Sequence, residues 1–183
     1  NRRWQLLYNQ RRWNTDKGKL VKPHNFYVED NFISPEQCAT LIRLYDKAPE
    51  VINKGKYSYV SVSDSETEHM PMKHELVEDI WLRQSILANQ LAGAITQWAQ
   101  IYRWPEGSKM GLHNDVASRH TMYTSVLYLN DGFQGGETQL EDGTTIAPKT
   151  GRIFFYDGIS YFHRVKPVTY GTRFTLASWY NRK

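Results

Sequence analysis

Gly111-Leu112-His113-Asn114-Asp115 puts an imidazole and a carboxylate two residues apart; a second imidazole, His163, follows much later, with Arg173 ten residues beyond it. On a strand, residues i and i+2 point to the same face, so His113 and Asp115 can reach one ion. Two His nitrogens and one carboxylate oxygen on one side of a metal leave the opposite positions open. That is the arrangement with which non-haem Fe(II) oxygenases admit a cosubstrate and O2. His113-x-Asp115 alone is weak, because loops produce such pairs by chance and a hydrogen-bonded structural histidine would read the same way. Three more residues strengthen it. His163 opens a late strand-like run. Arg173 begins the last apolar run and shares a face with Thr175. A guanidinium in a buried stretch needs a carboxylate, and with a hydroxyl beside it suits the far end of a dicarboxylic acid. Tyr128, in Val126-Leu127-Tyr128-Leu129, offers a phenol to the same carboxylate.

Other chemistries find less support. There is no Gly-x-Ser-x-Gly elbow and no phosphate loop ending in Lys and Ser or Thr. Gly135-Gly136 lies between strand-like runs and reads as a turn or bulge. Cys38 is the single cysteine, which excludes an intrachain disulfide and a zinc finger or ribbon; in an amphipathic run it reads as a core thiol. His69 and His74 read as surface or loop residues, and His120, just before a strand, is a weaker substrate candidate.

The 183 residues are 40% apolar, 23% charged and 14% aromatic, with a net charge of +4. This predicts one globular domain with a sizeable core rather than a disordered chain. Much of the positive excess sits at the start, in Arg2, Arg3, Arg11, Arg12, Lys17, Lys19 and Lys22. Residues 1–22 read as a solvated basic arm, and contact with nucleic acid is the weaker reading. No apolar run reaches membrane-spanning length and no signal-peptide pattern opens the chain. The expectation is a soluble, cytoplasmic protein that makes no use of a membrane; nothing in the sequence sets its oligomeric state.

The elements that must hold these side chains divide at about residue 100. Phe26 and Val28 alternate as in a strand. Ser34-Pro35-Glu36-Gln37 reads as a capped helix start, and Cys38, Leu41, Ile42 and Tyr45 continue at helical spacing until Pro49. Tyr57 and Tyr59 fit one face of a strand, followed by a polar loop to Met72. Leu76, Ile80, Leu87, Leu91, Ile95 and Trp98 recur at helical intervals and predict one long helix over Lys73–Gln100, with Gly93 a bend or close packing point. From residue 101 to 181 short β-rich runs alternate with turn residues, as in a sandwich or barrel. The predicted fold is mainly β with supporting helices over 34–100 and a metal-binding β core over 101–181, together a domain of residues 23–183.

Several of these stretches occur in one known family. Gly111-Leu112-His113-Asn114-Asp115, Tyr128-Leu129-Asn130, Gly135-Gly136-Glu137-Thr138, Pro148-Lys149-Thr150-Gly151-Arg152, His163-Arg164-Val165 and Gly171-Thr172-Arg173 resemble, in order and spacing, the catalytic core of prolyl 4-hydroxylase-like Fe(II)- and 2-oxoglutarate-dependent dioxygenases. The resemblance covers about Ile101 to Tyr180. It implies a double-stranded β-helix, a jelly roll of cupin type. Fe(II) would be held by His113, Asp115 and His163, with 2-oxoglutarate and O2 as cosubstrates and ascorbate an optional helper. It further implies that Arg173 pairs with the C5 carboxylate of 2-oxoglutarate, supported by Tyr128 and Thr175. Relatives carry a Tyr a little before the first His; here Trp104 stands there, with Tyr102 two residues earlier on the same face, and either ring could wall the pocket. An intact Asp115 favours hydroxylation over the halogenation of relatives that lack this carboxylate.

Because neutral imidazoles bind metal, iron affinity should fall in mild acid. The leading substrate is a prolyl residue in a peptide or protein, with a free amino acid or other small molecule as the alternative. A nucleic-acid-modifying oxygenase and a non-catalytic β-helix binding module stand further back. Tyr57, Tyr59, Arg103, Arg119 and Trp179 are the candidates for bordering substrate, and the loop to Met72 is expected to close over it.

Overall fold

The computed structural model describes residues 26–49, 51–52, 56–64, 71–115 and 121–182, together with the two-residue ladder of β1 (Thr15–Asp16) and β2 (Lys19–Leu20). In chain order there follow β3 (Phe26–Glu29), α1 (Pro35–Asp46), β4 (Val51–Ile52), β5 (Ser58–Asp64), α2 (Glu75–Ala92), β6 (Ala94–Pro105) and β7 (Met110–His113). Then come β8 (Tyr123–Tyr128), β9 (Gln134–Gly135), β10 (Thr138–Leu140), β11 (Thr145–Ile146), β12 (Ile153–Asp157), β13 (His163–Val165), β14 (Val168–Tyr170) and β15 (Thr172–Arg182). A seven-stranded sheet runs β3-β12-β8-β15-β6-β5-β4 and a four-stranded sheet β11-β10-β13-β7, with antiparallel neighbours throughout. This is the double-stranded β-helix expected from the motifs.

The large sheet is buried on both faces, and the period of two sorts its residues. Val60, Ile101, Leu127, Ile153 and Leu176 point outward and pack with Cys38, Leu41 and Tyr45 of α1 and Val77, Ile80 and Leu87 of α2. Val126, Tyr128, Phe154 and Tyr156 point inward and meet Leu140, Ile146 and Tyr161 from the small sheet side. Two apolar layers thus clamp the sheet that carries Arg173.

The first helix starts as its sequence predicts. Ser34 accepts from Gln37 N at 3.2 Å and the Gln37 side chain accepts from Ser34 N at 2.9 Å, a closed capping box with Pro35 in the first turn. Cys38 is fully buried in α1. His74 is the N-cap of α2, its Nδ1 accepting from Leu76 N at 3.1 Å.

The long helix over Lys73–Gln100 is corrected. α2 ends at Ala92, Gly93 adopts φ +62° as its left-handed C-cap, and β6 begins at Ala94. Ile95 and Trp98 mimic helical spacing while lying on a strand. In β6 they pair with Asn181 and Trp179, on either side of a register shift that leaves Gln97 of β6 without a partner in β15. That bulge breaks the strict alternation that would have marked a strand. The short ladders β9–β14 and β4–β5 carry too few residues for a period to register.

A Cβ at Gly93 would meet nothing within 4 Å, so the backbone conformation alone is at stake. Gly93→Ala should lower stability by about 1 kcal/mol while leaving metal affinity unchanged; chemical denaturation and metal titration of the variant check both.

Candidate metal centre

His113 and His163 face each other directly across the β7–β13 ladder, so their rings lie on one side of the small sheet with centroids 4.2 Å apart. Asp115 follows β7, where its N–H donates to Gly158 O at 3.0 Å, in the turn after β12. Its carboxylate reaches both rings: Oδ1 lies 3.8 Å from His113 Nε2 and Oδ2 lies 3.9 Å from His163 Nε2. One donor atom from each of the three falls within 4.8 Å of the others. Among the described residues this is the one such group of His, Cys, Asp and Glu.

Each imidazole is turned so that Nε2 faces the centre. His113 Nδ1 donates to Gly111 O at 2.9 Å and His163 Nδ1 to Tyr161 O at 3.4 Å. A proton held at Nδ1 leaves the Nε2 lone pair free. Burial pulls the His163 imidazole down to about 4, against the charge of Asp115, which pulls it up; neighbouring His113 acts with burial. His163 therefore has no proton to displace at neutral pH. The set is closed on the protein side, with Asp115 and His163 buried, and open towards solvent, where the His113 side chain is 34% exposed. Two imidazoles and a carboxylate suit Fe(II).

Arg173 lies 1% exposed on the inner face of β15. Its Nη1 donates to Thr175 Oγ1 at 3.3 Å and its Nη2 to Thr138 Oγ1 at 3.4 Å, and its Nε has no partner among the described residues. The ring of Trp104 lies 5.2 Å and that of Tyr128 5.3 Å from the guanidinium carbon. Burial pulls the guanidinium below its usual value, yet an arginine keeps its charge in a protein. No carboxylate among the described residues meets it, although a buried cation calls for an anion. The cradle fits a carboxylate brought by a small molecule, as 2-oxoglutarate would bring one.

The remaining candidates divide. Tyr128 is fully buried and its hydroxyl donates to Thr138 Oγ1 at 2.9 Å, beside Arg173. Trp104 pairs with Arg173 across the β6–β15 ladder and Tyr102 with Thr175. The Trp104 indole N–H is buried with no partner among the described residues, whereas the Tyr102 hydroxyl donates to Gln100 Oε1 at 2.6 Å. Tyr57 packs on Trp104 at 4.2 Å between ring centroids and Tyr59 on Tyr102 at 5.5 Å. Trp179 stacks on Trp98 at 3.6 Å and continues this aromatic wall. Arg103 sits apart, on the opposite face of β6 from Tyr102 and Trp104, and is exposed. Arg164, beside His163 in sequence, is exposed and bonds Gln139 through Nε at 2.8 Å. Arg119, His120, His69 and residues 65–70 of the expected lid lie outside the described residues.

Two threonines escaped the sequence reading. Thr138 joins Tyr128 to Arg173, and its signal was its place in the quoted stretch Gly135-Gly136-Glu137-Thr138. Thr124 donates to Asp115 Oδ2 at 2.5 Å; it shares a face with Val126 and Tyr128 by the period of two, which was the available clue.

A double-stranded β-helix with two His and one Asp at its open end is the architecture of an iron-dependent oxygenase class. Residues 99–181, which carry the whole triad and Arg173, match the family model of the 2OG-Fe(II) oxygenase superfamily. Prolyl 3-hydroxylase 2 of Rattus norvegicus is 43% identical over 65 residues, spanning 32% of this chain but 9% of that protein. A Pseudomonas putida prolyl-4-hydroxylase superimposes with a TM-score of 0.70 at 19% identity, over 87% of this chain and 94% of that one. A Trichoplax adhaerens prolyl hydroxylase, in complex with a hypoxia inducible factor peptide fragment, superimposes with a TM-score of 0.63 at 18% identity, over 86% and 83% of the two chains. At these identities the structural likenesses establish the fold.

Asp115→Ala should weaken binding of a divalent metal by more than about 100-fold, as read by calorimetric titration with Mn(II). Arg173→Ala should leave metal affinity intact. It should weaken 2-oxoglutarate binding to the metal-loaded protein by on the order of 100-fold, the loss expected for a charge-assisted bond in a dry site.

Proposed function

We propose that this protein is an Fe(II)- and 2-oxoglutarate-dependent dioxygenase that hydroxylates an unactivated C–H bond. Its leading substrate is the 4-position of a prolyl residue in a peptide or protein, with release of succinate and CO2. One observation carries the reading: a His113–Asp115–His163 triad occurs in one fold with a wholly buried Arg173 that meets no carboxylate among the described residues. A triad alone would suit many metals, and a buried Arg alone would be a structural oddity. Together they support a metal beside a dianionic organic acid.

When bound, the iron and 2-oxoglutarate supply the oxidising chemistry, in which one atom of O2 ends in succinate and the other in the product hydroxyl. The side chains do the rest. Arg173, Thr175 and the Tyr128–Thr138 pair anchor one end of the cosubstrate. His113 and His163 present their Nε2 atoms, and Trp104 and Tyr128 keep water from the anchored end. The prolyl part rests on the relatives named as prolyl hydroxylases. Among the described residues no helix is long and apolar enough to cross a membrane.

The test is succinate release from 2-oxoglutarate with Fe(II), screened over proline-rich peptides, free amino acids and oligonucleotides, with product mass and hydroxyproline isomer determined. Stimulation by a proline-rich peptide, with a product heavier by one oxygen and containing 4-hydroxyproline, is the expected result. 3-Hydroxyproline would move the reading to the chemistry named for the rat relative. Turnover of free amino acids alone would replace peptide with small-molecule substrate.

A further inference from the structure

Asp115 presents both carboxylate oxygens to the centre almost equally: Oδ1 lies 3.8 Å from His113 Nε2 and Oδ2 lies 3.9 Å from His163 Nε2. A carboxylate so placed can ligate through one oxygen or chelate through two. The choice matters to the chemistry. With single-oxygen ligation, three protein donors leave three of six positions: two for the oxo and carboxylate groups of the cosubstrate and one for O2. With chelation only two remain, the cosubstrate fills both, and O2 has none.

Thr124 stands at this point of decision. From the inner face of β8, its hydroxyl donates to Asp115 Oδ2 at 2.5 Å, and both side chains are buried. A hydroxyl-to-carboxylate bond of this length is charge-assisted and strong, and exclusion of water strengthens it further. Its approach depends on residue 158, whose carbonyl also accepts from Asp115 N. A Cβ there would lie 2.6 Å from Thr124 Oγ1 and 3.3 Å from Asp115 Oδ2, so only glycine lets hydroxyl and carboxylate close on each other. We infer that Thr124, seated by Gly158, is a positioning residue that occupies Asp115 Oδ2 and holds the carboxylate to single-oxygen ligation through Oδ1, keeping the third position free for O2. This rests on the oxygenase reading above.

The test uses the full chain loaded with Mn(II), whose exchangeable bound water is read from water-proton relaxation. Thr124→Val removes the hydroxyl at nearly constant shape and Thr124→Ser retains it. Thr124→Val should keep Mn(II) at least as tightly as the unaltered protein, because a chelating carboxylate replaces one water. Its bound-water relaxation should fall by about a third, one position in three. Saturating 2-oxoglutarate should abolish the remainder in Thr124→Val but leave about a third in the unaltered protein. Thr124→Ser should restore the unaltered pattern, and Gly158→Ala should reproduce that of Thr124→Val by pushing the hydroxyl away. Should Thr124→Val not fold, Gly158→Ala carries the same measurement.

Water relaxation in Thr124→Val equal to that of the unaltered protein would overturn the inference, as would loss of Mn(II) from a folded Thr124→Val. An unaltered protein that takes up neither Mn(II) nor 2-oxoglutarate would instead bring down the oxygenase reading itself.

Discussion

Arg173 carries a permanent positive charge into a place that water does not reach. Removing such a charge from water is expensive unless something answers it, and the chain answers it with care. Two threonine hydroxyls, Thr138 and Thr175, sit within hydrogen-bond reach of its terminal nitrogens, and two rings, Trp104 and Tyr128, flank its plane. None of these brings a negative charge. Among the described residues the site remains short of one anion, which the proposed cosubstrate would supply.

The sheet geometry connects that charge to the metal ligands. Along the inner face of β15 run Arg173, Thr175, Ala177 and Trp179, paired on one side with Trp104, Tyr102, Gln100 and Trp98 and, from Thr175 onward, on the other with Tyr128, Val126 and Thr124. Arg173 stands on one rung of this ladder and Thr124, which grips Asp115, on another. The small Ala177 lies on a rung between. The ladder therefore sets the separation of Arg173 from Thr124, the residue that holds Asp115, through backbone hydrogen bonds. The packed apolar layers on both faces keep it from bending.

Much of this was legible in the residue string, for definite physical reasons. His113, Asp115, His163 and Arg173 stood out because metal and carboxylate chemistry restricts residue type severely, and the period of two then told which neighbours share their face. The capping box at Ser34 was legible because the backbone donors of a helix start need local partners. The boundary at Gly93 was not, since Ile95 and Trp98 keep helical intervals by accident of a bulge at Gln97 in their own strand. Thr124 was missed because a threonine in a β-rich run is unremarkable until its hydroxyl is seen against a carboxylate contributed by a distant loop. Arg103, a candidate for bordering substrate, alternates with Tyr102 and Trp104 on β6, and the period of two sends its side chain to the other face.

The triad itself spans a seam. His113 and His163 belong to the small sheet, whereas Asp115 is fastened by its backbone to Gly158, in the turn after β12, and by its side chain to Thr124 of the large sheet. An ion gripped by all three is thus a rivet between two halves of the molecule, and binding confined to the folded state stabilises that state by mass action. Under such coupling, the supply of ferrous ion in a cell would govern how long each copy outlasts the proteases around it, so that iron scarcity would thin the population as well as idle it.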